Sequence, residues 1–312
     1  MASLYIQIII DTKFIRKCNF MDTYERILGG LFGVACGDAL GGTLEFMSRN
    51  EIKRKYGYLK DIIGGGCWDL LPGEVTDDTM MTIAVAEGIL DNPENPAEDI
   101  GKYFIKWYDS KSKDIGNIIR ITISEYKRSN NWTKAAYYAH QATGGMSAGN
   151  GSLMRCLPVA LYYNDIEKML EITASQSVLT HYDQKATDAC QFYNLLVYQY
   201  LNGKPKIPAI RKYIEKYPEY KQVFQLSKDE LKPSGYVVDT LVCALWCFIN
   251  TSSFEDAICE AANLGGDADT IAAITGGMAG VYYGYNAIPD RWKEKILVKD
   301  QLTSFAQKIF KS

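Results

Sequence analysis

The sequence predicts an all-α protein built as one domain. Apolar residues recur at intervals of three and four along most of the chain, and no segment alternates apolar and polar residues in the manner of a half-buried strand. Turn signals rich in Gly, Pro and Asn separate these periodic segments, but none is long enough to link two domains. With 312 residues, 47% of them hydrophobic and 23% charged, the chain can bury one large core.

The predicted helices follow one another at short intervals. Turn signals at Asn92-Pro93, Gly144-Gly145, Asn202-Gly203 and Pro233-Ser234-Gly235 break the periodicity. The segment 203–232 is polar and rich in Tyr and Lys, which indicates a surface excursion. The segments with a helical period are Tyr24–Leu44, Met80–Leu90, Pro96–Tyr108, Ile115–Lys127, Trp132–Gln141, Leu153–Tyr163, Ile166–Ser177, Lys185–Leu201, Val237–Asn250, Phe254–Asn263 and Ile271–Tyr283.

The first predicted helix carries a row of glycines. Gly29, Gly33, Gly37 and Gly41 recur every fourth residue and therefore form a bare stripe along one face. Each costs about 1 kcal/mol of helix propensity relative to Ala, so a tertiary contact must offset them. The stripe predicts a face that another backbone or a ligand approaches closely, and helix–helix packing is the simpler interpretation.

Composition argues against several kinds of site. The formal net charge is -3 and no Lys/Arg-rich block occurs, which argues against nucleic-acid binding because such surfaces rest on basic patches. The 8 cysteines form no C-x-x-C pair and indicate reduced, buried thiols of a cytoplasmic protein. His140 and His181 are the only histidines, which argues against a His-based zinc site.

The first residues are predicted to lie outside the functional domain. The apolar stretch Leu4–Ile10 is too short to span a membrane and lacks the flanking features of a signal peptide. Helical patterning begins only after Met21. We therefore expect residues 1–20 to be a non-essential extension, residues 21–312 to form the domain, and the protein to make no membrane contact.

Two short acidic clusters each precede an apolar helical segment. They are Thr76-Asp77-Asp78-Thr79 and Asp267-Ala268-Asp269-Thr270. Carboxylate and hydroxyl oxygens are the ligands that Mg²⁺, Mn²⁺ and Ca²⁺ prefer, so converging clusters would form a site for one or two divalent cations. For the first cluster, capping by Thr76 with acidic residues in the first helical turn is the ordinary alternative.

The second cluster favours metal binding over capping. The run Ile271–Gly280 that follows it is almost uncharged, which predicts burial on most sides. Buried carboxylates must be paired, protonated or bound to metal, and no Lys or Arg stands nearby in sequence. Two cations would balance the four carboxylates, the hydroxyls of Thr76 and Thr270 could complete their shells, and a bound water could be activated. The chain is therefore a candidate metal-dependent hydrolase.

Other segments suit an anion or a base. Ser147–Ser152 is Gly-rich and precedes a predicted helix, so its N–H groups could bind a phosphate or diphosphate, although ordinary loops share this composition. Asp114–Asn117 is a similar acidic, Gly-containing start of a helix. Read alone, His181 fits a structural role, and Tyr236 could be a stacking platform or a core aromatic.

These motifs resemble the ADP-ribosylglycohydrolase family, which contains dinitrogenase-reductase-activating glycohydrolases and eukaryotic ADP-ribosylhydrolases. The resemblance extends from about Tyr24 to Trp292, with the motifs in the expected order. Gln184 stands where many relatives carry Pro, which leaves the geometry of the His181 loop open. The matching motifs are Gly37-Asp38-Ala39-Leu40-Gly41 with Glu45, Thr76-Asp77-Asp78-Thr79, Gly149-Asn150-Gly151-Ser152-Leu153-Met154-Arg155, Thr180-His181 and Gly265-Gly266-Asp267-Ala268-Asp269-Thr270.

The resemblance implies a compact, all-α orthogonal helical bundle with two Mg²⁺ or Mn²⁺ ions at its centre. The family places the ribose hydroxyls of ADP-ribose next to the metals and cleaves the glycosidic bond to a protein side chain. Proton transfer is implied for Asp114 or Glu45. The implied metal ligands are Thr76, Asp77, Asp78, Asp267, Asp269 and Thr270, and the implied ADP-ribose-binding residues are Gly116, Asn117, Gly149, Asn150, Gly151, Ser152, His181 and Tyr236.

The resemblance thus implies a monomeric hydrolase that removes ADP-ribose from a modified protein, with arginine as the favoured linked side chain. Serine-linked ADP-ribose, poly(ADP-ribose) and O-acetyl-ADP-ribose remain open as substrates. A two-metal phosphohydrolase acting on a nucleotide diphosphate is a further alternative. So is a non-catalytic, crystallin-like or ADP-ribose-binding protein, although the intact acidic clusters and Glu45 argue against it.

Overall fold

A computed structural model describes residues 22–312, and helices dominate this range. Its only β-pairing consists of two isolated bridges, Gly65 with Leu70 and Gly149 with Tyr236, so the all-α prediction is confirmed. None of the described helices combines the length and apolar character that a membrane span requires. The α-helices are α1 Thr23–Gly41, α2 Arg49–Tyr56, α3 Asp77–Asp91, α4 Ala97–Asp109, α5 Asn117–Ser129, α6 Trp132–Ala142, α7 Leu157–Tyr162, α8 Ile166–Val178, α9 Gln184–Leu201, α10 Lys206–Tyr213, α11 Val237–Ile249, α12 Phe254–Ala262, α13 Ala268–Tyr283, α14 Asp290–Lys293 and α15 Lys299–Lys311.

Most predicted helices are present with shifted ends, and a few helices lie outside the predicted segments. The predicted surface excursion contains α10 and the 3₁₀-helices Pro218–Phe224 and Lys228–Glu230. Helix α2 has a single buried residue, Ile52, and therefore carries no apolar period that a sequence could reveal. The prediction for residues 1–20 falls outside the described residues.

The predicted helix start at Leu153 is wrong, since α7 begins at Leu157. Residues 150–152 form a short 3₁₀-turn, and the N–H groups of Leu153 and Met154 donate back to the carbonyl of Asn150. Pro158 stands in the first turn of α7, where its missing N–H loses no hydrogen bond. The Gly-rich loop therefore leads into a turn, and the helix starts four positions further on.

The glycine stripe of α1 packs directly against the backbone of α13. A Cβ atom built on Gly33 would overlap the carbonyl of Gly276, and one on Gly276 would overlap the carbonyl of Gly33. Gly29 meets Gly280 in the same way, one turn along each helix. The interpretation of the stripe as close helix–helix packing is confirmed.

This packing also positions residues at the end of α1. Because the paired glycines run in opposite order, α1 and α13 are antiparallel, and the end of α1 lies beside the start of α13. A Cβ atom on Gly41 would lie 2.5 Å from Cα of Asp269. The contact therefore places Asp38 and Glu45, one on α1 and one just beyond it, next to the second acidic cluster.

Replacing a glycine at the contact between α1 and α13 is expected to be far more costly than replacing an exposed one. Gly276→Ala should lower the free energy of unfolding by about 3 kcal/mol or more, because the added methyl group forces two helix backbones apart. Gly144→Ala is the matched control: it meets nothing within 4 Å and carries only the cost of a left-handed conformation, about 1–2 kcal/mol. Urea unfolding followed by circular dichroism measures both, and equal losses would contradict the packing argument.

Candidate active site

The starts of α3, α5 and α13 and the end of α1 meet around one cavity of about 430 Å³. This size suits a small-molecule ligand. Of the predicted site residues, Thr76, Asp78, Ser152 and Tyr236 lie outside its wall. The predicted residues that line the cavity are Glu45, Asp77, Asp114, Gly116, Asn117, Gly149, Asn150, Gly151, His181, Asp267, Asp269 and Thr270.

The start of α3 is capped by a side chain from α1. Thr76 occupies the cap position, but its own side chain makes no capping hydrogen bond. The buried carboxylate of Asp38 accepts hydrogen bonds from the N–H groups of Thr76 at 3.0 Å and Thr79 at 3.1 Å, and from both hydroxyls. Its charge also faces the positive end of the α3 dipole. Asp38 therefore holds α3, with Asp77 and Asp78, against α1.

Two buried carboxylate oxygens lack a partner. Within residues 22–312, Oδ1 of Asp78 and Oδ1 of Asp269 accept no hydrogen bond, although both side chains are buried. Oδ2 of Asp78 accepts hydrogen bonds from the hydroxyls of Thr270 at 3.2 Å and Thr76 at 3.4 Å. Burial, reinforced by neighbouring carboxylates, raises the pKa of Asp78 and of Asp269 well above the usual range. A divalent cation could satisfy a buried carboxylate oxygen of this kind, so the chemistry of each donor fits such an ion.

Glu45, Asp114 and Asp269 form an acidic group within the same wall. One carboxylate oxygen of each lies within 4.8 Å of the others, a spacing that could hold a metal ion. Oε2 of Glu45 accepts a hydrogen bond from Nε1 of Trp68 at 2.5 Å and from the Cys67 thiol at 3.6 Å. Burial and the charge of Asp114 raise the pKa of Glu45 to about 7. The loop before α3 thus holds Glu45 in place.

Asp114 lies three residues before the start of α5 and faces the first acidic cluster. Burial raises the pKa of Asp114 to about 6 and raises that of Asp77 well above the usual range, with the charge of Asp114 adding to the effect on Asp77. A cation bound by these carboxylates would offset their mutual repulsion.

The Gly-rich loop is tied to the second acidic cluster. Gly149 forms its bridge with Tyr236, beside the start of α11. Nδ2 of Asn150 donates hydrogen bonds to Oδ2 of Asp267 at 2.6 Å and to the hydroxyl of Thr240 at 3.1 Å. Asn150 therefore fixes the carboxylate of Asp267 and brings the Gly-rich loop to the acidic wall.

Three predicted ligand-binding residues differ in their position relative to the cavity: His181 lines it, whereas Ser152 and Tyr236 lie outside its wall. His181 is 1% exposed and lines it, and burial together with nearby Arg155 lowers the pKa of His181 to about 3, so its imidazole is neutral. Ser152 is buried and its hydroxyl accepts a hydrogen bond from Ser177 at 2.9 Å, so it supports the loop from within. The ring of Tyr236 is 38% exposed and lies outside the wall.

Sequence reasoning assigned no role to Asp38, Trp68 or Phe46. Phe46 lines the cavity with 68% exposure and a φ of 61°, a left-handed conformation that bulky residues rarely adopt. Its N–H donates to the carbonyl of Gly266 at 2.7 Å, and its ring meets that of Trp68 edge-to-face at 6.4 Å. Of these three residues, only Asp38 can be recognised from the sequence, because it is a carboxylate among the glycines of a helix that is otherwise apolar at its buried positions.

The all-α fold contains an acidic cavity beside a Gly-rich loop, which is the arrangement that the sequence predicts for a metal-dependent hydrolase. The chain belongs to the ADP-ribosylglycohydrolase family, whose sequence profile matches residues 20–312. The predictions of this family and of an enzyme that hydrolyses ADP-ribose conjugates are thereby confirmed.

Individual relatives agree with the family. An ADP-ribosylarginine hydrolase of Serratia proteamaculans is 32% identical over 306 residues, which cover 93% of this chain and 80% of the relative. An ADP-ribosyl-dinitrogen-reductase glycohydrolase of Rhodospirillum rubrum is 33% identical over 280 residues, 88% of this chain and 92% of the relative. The solved structure of an ADP-ribosylglycohydrolase-related protein complex superimposes with a TM-score of 0.81 at 29% identity, over 94% of this chain and 99% of that chain.

The neutral state of His181 should appear in the pH dependence of stability. Its pKa is about 3 in the folded protein and ordinarily 6.5 in an unfolded chain, so the unfolded state binds more protons between these values. Stability from this residue therefore falls as the pH drops below 6.5, by about 2 kcal/mol between pH 7 and pH 5. His181→Gln should remove this part of the loss. The control His140→Gln removes the other imidazole and should leave the loss caused by His181 in place. Urea titrations at both pH values measure the difference, and an unchanged loss in His181→Gln would refute the neutral assignment.

Proposed function

We propose that the protein hydrolyses the glycosidic bond between ADP-ribose and an arginine side chain of a modified protein. The observation that carries this proposal is the pair of unpartnered oxygens on Asp78 and Asp269, next to the cavity that also contains the Gly149–Gly151 backbone. The first feature suits a divalent cation and the second a diphosphate. The Serratia proteamaculans relative is an ADP-ribosylarginine hydrolase, which supports arginine as the linked residue.

Two Mg²⁺ or Mn²⁺ ions would be held by the two acidic clusters. When bound, they would neutralise the carboxylates, bind ribose hydroxyls and lower the pKa of a water. The side chains prepare this site: Asp38 aligns α3, and Asn150 fixes Asp267. The residues assigned to the ions are Thr76, Asp77, Asp78, Asp267, Asp269 and Thr270.

Glu45 and Asp114 are assigned to proton transfer. Both line the cavity and lie within 4.8 Å of each other through their nearest oxygens. Cleavage requires a proton on the leaving nitrogen and removal of one from the attacking water, and carboxyl groups at this position can carry out both transfers. The hydrogen bond from Trp68 orients Glu45.

The Gly-rich loop and its neighbours are assigned to the ADP-ribose ligand. The Gly149–Gly151 loop, supported from within by Ser152, would bind the diphosphate. The N–H of Asn150 donates to the carbonyl of Gly235 at 3.1 Å, so the N–H groups of Gly149 and Gly151 would make these contacts while Asn150 holds the loop in place. Gly116 and Asn117, at the start of α5, would bind the neighbouring ribose. His181 would contact the distal part of the ligand or shape the pocket, and the exposed ring of Tyr236 would stack on the adenine.

The substrate is proposed to be an ADP-ribosylated protein, as the names of the relatives support. A monomeric state, a cytoplasmic location and the absence of nucleic-acid binding remain predictions from the sequence.

The linkage can be tested with defined peptides. Arginine-linked ADP-ribosyl peptide incubated with the protein and Mg²⁺ or Mn²⁺ should release free ADP-ribose, and serine-linked peptide should react more slowly, because arginine is the linkage supported by the relatives. Chromatography separates the products. Release of AMP would instead indicate attack at phosphorus, and faster release from the serine peptide would contradict the arginine assignment.

The metal ligands can be tested with binding as well as activity. Asp77→Ala and Asp269→Ala should each lose more than about 100-fold in activity and in Mn²⁺ affinity measured by calorimetry. Asp300→Ala, on the exposed surface of α15, is the matched carboxylate control and should behave like the wild type. Chelation should lower the melting temperature of the wild type, because buried carboxylates then remain uncompensated, and the shift should be smaller in Asp269→Ala. Full turnover and Mn²⁺ binding by both cluster variants would overturn the assignment.

A further inference from the structure

Arg155 is a buried cation whose partners are all uncharged. It is 0% exposed, and no carboxylate of the described residues forms an ion pair with it. Its Nε donates to the side-chain carbonyl of Gln176 at 3.0 Å, and its Nη2 donates to the Gln176 backbone carbonyl at 3.0 Å and to the hydroxyl of Thr180 at 2.8 Å. The ring of Phe104 lies 4.1 Å from its guanidinium carbon. Burying a charge without an ionic partner costs free energy, so a role beyond packing is expected of Arg155.

The contact with Thr180 has a direction that chemistry determines. A guanidinium group carries only donors, so Oγ1 of Thr180 must accept from Arg155. The same hydroxyl lies 2.8 Å from Nδ1 of His181 and has one proton of its own to donate. If Nδ1 accepts that proton, each of the hydrogen-bonding groups from Arg155 through Thr180 to Nδ1 of His181 has a partner. The imidazole proton then resides on Nε2.

Nε2 of His181 points to the Gly-rich loop. A Cβ atom built on Gly149 would lie 3.4 Å from Nε2, and one on Gly151 would lie 3.3 Å from it. The side chain lines the cavity while 1% exposed, and no residue of the described range forms a hydrogen bond with Nε2. Nε2 is therefore the one ring nitrogen of His181 without a hydrogen-bond partner among residues 22–312, on a buried ring that lines the cavity.

We propose that Arg155 and Thr180 are positioning residues that hold His181 in its Nε2–H tautomer, so that it donates a hydrogen bond to an anionic oxygen of the ligand. Arg155 orients the Thr180 hydroxyl, and Thr180 occupies Nδ1 of the imidazole. The positive charge of Arg155 also opposes protonation of the ring, so the donor stays neutral. The tautomer depends only on this chain, whereas the identity of the bound oxygen rests on the proposed function.

The tautomer can be read directly by nitrogen-15 NMR, because the chain has only 2 histidines. Long-range proton–nitrogen spectra of the metal-free protein should show an acceptor-type Nδ1 and a protonated Nε2 for one imidazole, which the spectrum of His140→Gln assigns to His181. A protonated Nδ1 in the wild type would overturn the proposal. This result is independent of catalysis: the expected tautomer without any binding of ADP-ribose would count against the proposed function alone.

A pair of substitutions then tests the positioning role. Thr180→Val keeps the shape but removes the hydroxyl, and it should release His181 to the other tautomer and weaken ADP-ribose binding by about tenfold in the presence of Mg²⁺. Thr180→Ser keeps the hydroxyl and should restore both the wild-type spectrum and the affinity. Retention of the Nε2–H tautomer in Thr180→Val would overturn the positioning role, and should that variant fail to fold, the wild-type and Thr180→Ser spectra decide.

Discussion

The direct contact between the backbones of α1 and α13 is the constraint on which the rest of the structure depends. Side chains would keep two helices further apart, and the glycine pairs such as Gly33 with Gly276 remove them. The antiparallel arrangement brings the end of α1 to the start of α13, where Asp269 lies. Asp38 then reaches from α1 to cap α3. Two acidic helix starts, distant in sequence, thus share one centre because a third helix end lies between them.

This arrangement concentrates negative charge where water has little access. Burial and mutual repulsion raise the pKa values of Asp78 and Asp269, and each keeps one oxygen without a partner. Burial raises the pKa of Asp38 as well, to about 6, but N–H groups and hydroxyls satisfy both of its oxygens. The contrast separates the two uses of buried carboxylates in this protein: one stabilises a helix start, and the others stay available for an ion.

The sequence predicts local features of the structure. It predicts less well which distant segments of the chain come together. Both acidic clusters stand at helix starts, as their flanking residues indicate, and the glycine stripe is recognisable from its spacing alone. Trp68 could not be paired with Glu45 from the sequence, because a loop rich in positive-φ glycines determines where the indole lies. The sequence pattern misplaces the start of α7, because the turn after Ser152 has no apolar pattern that distinguishes it from a helix. Tyr236 was assigned to the ligand by resemblance, whereas its ring lies outside the cavity wall.

The residues that build the scaffold and the residues that could perform chemistry are different sets. Glycines along α1 and α13 set the helix distance, whereas the unpartnered carboxylates lie beyond these glycines, at the helix starts. Exchanging Asp78 and Asp269 for neutral residues of similar size would remove repulsion from the core and leave the helix contact intact. The Gly149–Gly151 loop and His181 would also remain. Under the proposed function, the loop that would bind the diphosphate and the carboxylates that would hold the ions are separate sets of residues, so evolution or design could change turnover without rebuilding the loop.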